Sequence, residues 1–247
     1  MDLDEIKRLK EICEKSIHRT LENWDSYLAN WDNQEKGERT LKYSLVSSYY
    51  PLAINTLLLG DKHKALDLLH KSFDLLSEVL EFRKNEYPTF LDLIHVAILS
   101  LDKNLMHKAS HLCKKMVDET PKVTVYYIRL LCDLIDGNED EARRDISILN
   151  EELKVEGEYF PLYLDDLASA LLDGDRQKFN EVLPKVLESH DRIRDNYYGN
   201  KNSYNYVICI PATVLLILAK DRGITINKDD IDEKLREYIP WILLEDD

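Results

Sequence analysis

Glycine and proline are both scarce, 7 of each in 247 residues. A β-sandwich of this length needs more turn residues, and long helices fit the composition better. No C-x-x-C pair occurs. Cys13, Cys113, Cys132 and Cys209 are widely spaced inside apolar helical patterns, which reads as buried free thiols of a reducing compartment rather than a disulfide framework. The longest apolar run, Val207 to Ala219, contains Pro211 and is too short to span a bilayer. The opening MDLDEIKRLKEI is charged and amphipathic, without the apolar centre of a signal peptide. These absences lead to the expectation of a cytoplasmic protein.

Catalytic motifs are missing as well. There is no G-x-G-x-x-G, no phosphate loop and no G-x-S-x-G elbow, and so few glycines leave little room for a phosphate cradle. His107 and His111 stand one helical turn apart with Cys113 nearby, but the general base of an H-E-x-x-H motif is lacking and Cys113 falls elsewhere around the helix. The adjacent acids Glu151-Glu152 and Asp165-Asp166 diverge by about a hundred degrees on a helix and cannot face each other across a substrate. His95, within the apolar run Leu91 to Leu101, reads as a hydrogen-bonded core residue. The expectation is a protein that is not an enzyme and takes no cofactor or metal.

What is present is helical punctuation. In Tyr49 to Leu80, an apolar run ends at Gly60, which tolerates the left-handed conformation that closes a helix, and Asp61 offers a cap to the next. Ala65, Leu66, Leu69, Phe73, Leu76 and Leu80 then recur at steps of three and four and form one stripe. Similar units follow. Pro51, Pro88, Pro121 and Pro161 each open an apolar helix, with turns at Gly60-Asp61, Asp102-Lys103-Asn104, Gly137-Asn138 and Gly174-Asp175. A hairpin of this kind cannot bury its stripe alone and needs stacked neighbours. The expected fold is all-α: stacked helical hairpins forming a tetratricopeptide-like α-solenoid with an N-terminal capping helix.

The expected organisation is a single domain, 1–247. A capping helix region occupies 1–37, with Ile6, Leu9, Cys13, Leu21, Trp24, Leu28 and Trp31 along one side of its long helix, the two tryptophans packing on the core or else serving as an exposed partner anchor. Four hairpins occupy 38–188, and a polar, tyrosine- and asparagine-rich loop occupies 189–205. C-terminal helices occupy 206–247: Tyr206 to Asp221, apolar nearly all round and so central, and a short amphipathic one from Asp229 to Glu237. The G-x-x-x-x-A step at the hairpin turns resembles the second half of a tetratricopeptide repeat. The first helices lack that family's Trp-Leu-Gly-Tyr pattern, so the resemblance does not carry over its peptide groove.

Net charge is −14, and residues 133 to 195, with 18 acidic and 8 basic side chains, hold −10 of it. A field of this sign repels nucleic acid and anionic lipid and steers a basic partner; an acidic surface that serves only solvation is the competing explanation. The candidate partner-binding acids are Asp136, Glu139, Asp140, Glu141, Asp173 and Asp175, at or beside two hairpin turns that stacking would bring to one edge. Tyr197, Tyr198, Tyr204 and Tyr206 join them, because the polar segment they occupy has the Tyr, Asn, Ser and Gly composition that binding loops favour; a plain connection whose tyrosines pack on the last hairpin is the competing explanation.

Together, the YYPLAINTLLLGD-KHKALDLL hairpin, the HDRIR segment, the apolar helix ending LLILAKDRGI and the terminal YIPWILL resemble the immunity protein 49 family of bacterial polymorphic toxin systems. That resemblance implies an all-helical cytosolic protein that neutralises a cognate protein toxin by binding it. The alternative is a tetratricopeptide-like scaffold or regulator that binds a host protein or peptide. An enzyme ranks third.

Overall fold

Four times along the chain a helix closes on one residue in the left-handed region, and the next residue starts the following helix. Gly60 (φ 84°), Gly137 (φ 74°) and Gly174 (φ 65°) supply three of these turns, and Leu101 (φ 60°) supplies the fourth. Asp61, Asp102 and Asp175 accept backbone N–H bonds from Lys64, Asn104 and Lys178 at 3.1, 2.8 and 2.9 Å, as N-caps do. The backbone N–H of Asp61, Asn138 and Asp175 reaches back to Thr56, Asp133 and Ala170, the six-to-one bond of a Schellman closure. The second turn therefore lies at Leu101-Asp102, not at Asp102 to Asn104. There Ser100 Oγ accepts from the Asp102 N–H at 3.3 Å in place of a backbone carbonyl, while Leu101 packs against the core.

The computed structural model describes residues 3–80, 87–115, 123–156, 160–197, 207–226 and 228–245. Among these the chain is all-helical, with no strand. The helices are α1 (Leu3–Glu22), α2 (Trp24–Ala29), α3 (Gln34–Leu58), α4 (Lys62–Leu80), α5 (Tyr87–Leu99), α6 (Lys103–Cys113), α7 (Val123–Asp136), α8 (Glu139–Glu156), α9 (Leu164–Leu172), α10 (Arg176–Tyr197), α11 (Ile210–Asp221) and α12 (Glu233–Arg236). Each helix from α3 to α10 packs on the one before it and the one after it, and α1 lies along α3, where Ser16 and Ser48 share a 2.9 Å hydrogen bond.

Several boundaries differ from the sequence reading. The N-terminal helix is not continuous, because α1 breaks at Asn23, whose side-chain amide donates to Arg19 O at 2.8 Å. Ile17, absent from the expected stripe, is buried, whereas Leu21 is half exposed. Pro51 neither starts nor ends a helix; it lies inside α3, which Asn33 caps through Lys36 N at 3.0 Å. Gly37 belongs to that helix and is buried under Trp31, which leaves no room for a methyl group: a Cβ there would stand 2.8 Å from Trp31 Cγ. Trp24 packs against the core, but Trp31 keeps 36% exposure. Pro88 is in the first turn of α5, Pro161 lies three residues ahead of α9, and Pro121 is outside the described residues. The polar loop does not begin at Ser189, because α10 continues through Pro184 to Tyr197. Ser189 and His190 face inward, and Ser189 Oγ accepts from Leu162 N at 2.9 Å. The expected helix from Asp229 to Glu237 is only a 3-10 turn at Lys228–Asp230 and the single turn of α12.

The last long helix decides the interior. α11 packs against α5, α9 and α10, and Ile210 to Ala219 are buried apart from Pro211. It touches α7 as well: Tyr127 Oη donates to Pro211 O at 3.3 Å, and Arg222 donates to Leu134 O at 3.2 Å. The face shared by α5, α7 and α9 is thus covered by the chain itself. The C-terminal segment then bridges α11 and α4, since Cys209 N donates to Tyr238 O at 2.9 Å, Lys220 Nζ to Leu244 O at 2.7 Å and Lys62 Nζ, at the start of α4, to Glu245 O at 2.9 Å. No described helix is long and apolar enough to cross a membrane.

Candidate interaction edge

The candidate acids sit where α7 passes to α8 and α9 to α10, and the structure joins those turns. Arg143, in the second turn of α8, places Nη1 2.8 Å from Asp173 Oδ1 at the end of α9. Glu139, Asp140 and Glu141 form the exposed first turn of α8, where negative side chains complement the positive end of the helix dipole. Asp175 is exposed and caps α10. Five of the six acids therefore share one edge.

Asp136 is engaged differently. Its Oδ2 accepts from Ser110 Oγ at 2.7 Å and from Lys114 Nζ at 2.6 Å, and its Oδ1 lies 3.2 Å from His107 Nδ1. Partial burial pushes its carboxyl pKa up, but hydrogen bonds from Lys114, Ser110 and His107 outweigh this and hold it below the ordinary value. Lys114 is partly desolvated, which lowers its pKa, yet the pairing with Asp136 and Asp133 holds it raised. Asp136 is thus a tie between α6 and α7 more than a free charge. His107 serves this tie, and no group of three or more His, Cys, Asp or Glu side chains among the described residues is arranged to hold a metal.

Much of the remaining regional acidity is also internally engaged. Asp133 is buried, 3.1 Å from Asn138 Nδ2 and 3.5 Å from Lys114 Nζ. Asp165 takes a hydrogen bond from Asn150, and Asp191 accepts from Tyr238 Oη and from Lys234 Nζ at 2.6 Å. Glu141 lies 3.5 Å from Arg144, and Glu188 lies 3.6 Å from Arg192. Glu139 and Asp140 remain exposed with no ion-pair partner among the described residues.

Of the candidate tyrosines, Tyr197 is the last residue of α10, so its backbone belongs to a helix and not to a loop. Tyr198, Tyr204 and Tyr206 lie outside the described residues. Sequence reasoning missed Arg143 and Lys114, whose partners are 30 and 22 residues away. It also misjudged His95, which is buried in the core as expected, but with Nε2 lacking a hydrogen-bond partner. Its ring meets Tyr127 edge-on at 5.8 Å, and burial lowers its pKa to about 3.

No family model matches the chain, and no curated protein or solved structure shows significant similarity to it.

Proposed function

We propose that this chain is an immunity protein that binds and neutralises a cognate, basic protein toxin, and that the edge formed by Glu139, Asp140, Glu141, Asp173 and Asp175 meets that toxin first. The observation that carries the proposal is the pair of uncompensated carboxylates, Glu139 and Asp140, on an edge held in place by Arg143 and Asp173. Such a surface steers a cationic partner, and its effect falls on the association rate more than on the final affinity. In this reading the pairs α3–α4, α5–α6, α7–α8 and α9–α10 are the stacked hairpins of a tetratricopeptide-like solenoid. Support comes from the repeated left-handed turn and from α5 and α7 lying side by side. The cytoplasm is the matching location.

The scaffold alternative needs an open groove on the first helices of the pairs, and α11 lies across α5, α7 and α9. Toxin neutralisation is therefore the reading put forward. Co-expression with the toxin encoded beside its gene tests it. Cells survive with the wild-type chain and lose protection when Glu139, Asp140 and Glu141 are all changed to Lys in a variant that stays folded. Equal survival with the reversed edge would move the binding surface elsewhere, and death with the wild-type chain would remove the immunity reading.

A further inference from the structure

Cys113 ends α6 and Cys132 lies within α7, and both side chains are buried. Although 19 positions apart, the two residues are brought together where α6 packs on α7, and Cys113 Sγ donates to Phe90 O at 3.7 Å. They share the wall of one cavity of about 210 Å³, whose other lining residues are Lys114, Ile128, Arg129 and Asp133. The remaining cysteines have no such neighbour to join: Cys13 is on α1 and Cys209 precedes α11.

We propose that Cys113 and Cys132 are a reversible oxidation site, a dithiol that hydrogen peroxide entering this cavity converts to a disulfide joining α6 to α7. In the first step one sulfur, as thiolate, attacks a peroxide oxygen; the O–O bond breaks, giving a sulfenic acid and a hydroxide that leaves as water. In the second the other thiol attacks the sulfenic sulfur, the S–S bond forms, and the oxygen departs as a second water. Two thiols lose two hydrogens and two electrons, and one peroxide becomes two waters. A thiol or dithiol reductant reverses the change by exchange. Contact with Cys132, together with burial, holds the Cys113 thiol well above its ordinary pKa, so the thiolate is scarce at neutral pH and oxidation is faster in alkaline solution. The proposal does not depend on the toxin reading.

The test uses the full-length native protein. It is exposed to hydrogen peroxide, its remaining thiols are alkylated in denaturant, and trypsin peptides are mapped by mass. The expected product joins peptides 109–114 and 130–143 with the loss of two hydrogen atoms and separates on reduction. A bridge over a loop of this size raises the unfolding midpoint by about 5 to 10 °C. Cys132→Ser should abolish both the linked peptide and the shift; should that variant not fold, the wild-type map alone decides. Recovery of both cysteines as alkylated thiols, at peroxide levels that fully oxidise the unfolded chain, overturns the proposal. So does a link formed only between two chains.

Discussion

Arg143 and Asp173 lie 2.8 Å apart across the gap between two hairpin turns, each with nearly half its side chain exposed. The pair gathers the acids of two turns on one edge but adds little stability, because water screens an exposed ion pair. Arg143→Ala is expected to change unfolding free energy by less than about 1 kcal/mol, as read from denaturant titration. The same variant removes a positive charge from the edge, so a cationic partner should associate faster with it.

The turn glycines carry a backbone cost that no neighbour imposes. Nothing lies within 4 Å of a Cβ built on Gly60 or Gly137, so a substitution there is felt through its positive φ alone. Gly60→Val and Gly137→Ala should each destabilise by about 1 to 2 kcal/mol. Unchanged thermal midpoints would contradict the left-handed closure at both turns.

His95 gives the fold a pH dependence of definite sign. Its folded pKa, about 3, lies below the ordinary 6.5, so between these values the unfolded chain takes up a proton that the folded chain refuses. Stability is then lost as pH falls from about 6.5 toward 3, by about 2 kcal/mol at pH 5 from this group. His95→Phe keeps an aromatic ring against Tyr127 and should flatten that part of the curve. A stability profile of the same slope in wild type and variant over this range would refute the assignment.

The C-terminal segment is a strap that joins the start of α4 to the residue ahead of α11. Tyr238, Ile239 and Leu243 are buried, and Glu245 O receives Lys62 Nζ. Removing residues 238–247 exposes the apolar surfaces that these side chains cover. The expected loss exceeds about 3 kcal/mol, and faster amide exchange at Cys209, whose N–H bonds to Tyr238 O, would locate it.

The helices and three of the four turns were legible in sequence because their causes are local: a glycine free to take positive φ, an Asp or Asn after it, and apolar residues at steps of three and four. Leu101 was not legible, since a leucine enters the left-handed region only where packing holds it there. The stretch from Ser189 to Tyr197 looked like loop because its outer face is polar, while Ser189 and His190 turn inward. Pairings such as Asp136 with Lys114 and Cys113 with Cys132 depend on how α6 meets α7, and no periodicity within one helix encodes that. Uniform apolarity marked α11 as central, yet its neighbours α5, α7 and α9 emerge only from the assembled fold.

Association kinetics with the cognate toxin, measured from low to physiological salt for the wild-type chain and for a variant with Asp140, Glu141 and Asp175 reversed to Lys, test the central claim most directly. A clustered exposed field raises association ten-fold or more and weakens as the Debye length shortens to about 8 Å. The variant should therefore associate at least about ten times more slowly at low salt, with a flattened salt dependence and an unchanged dissociation rate. An association rate indifferent to both salt and these reversals would contradict the account and leave the acidic edge with solvation alone.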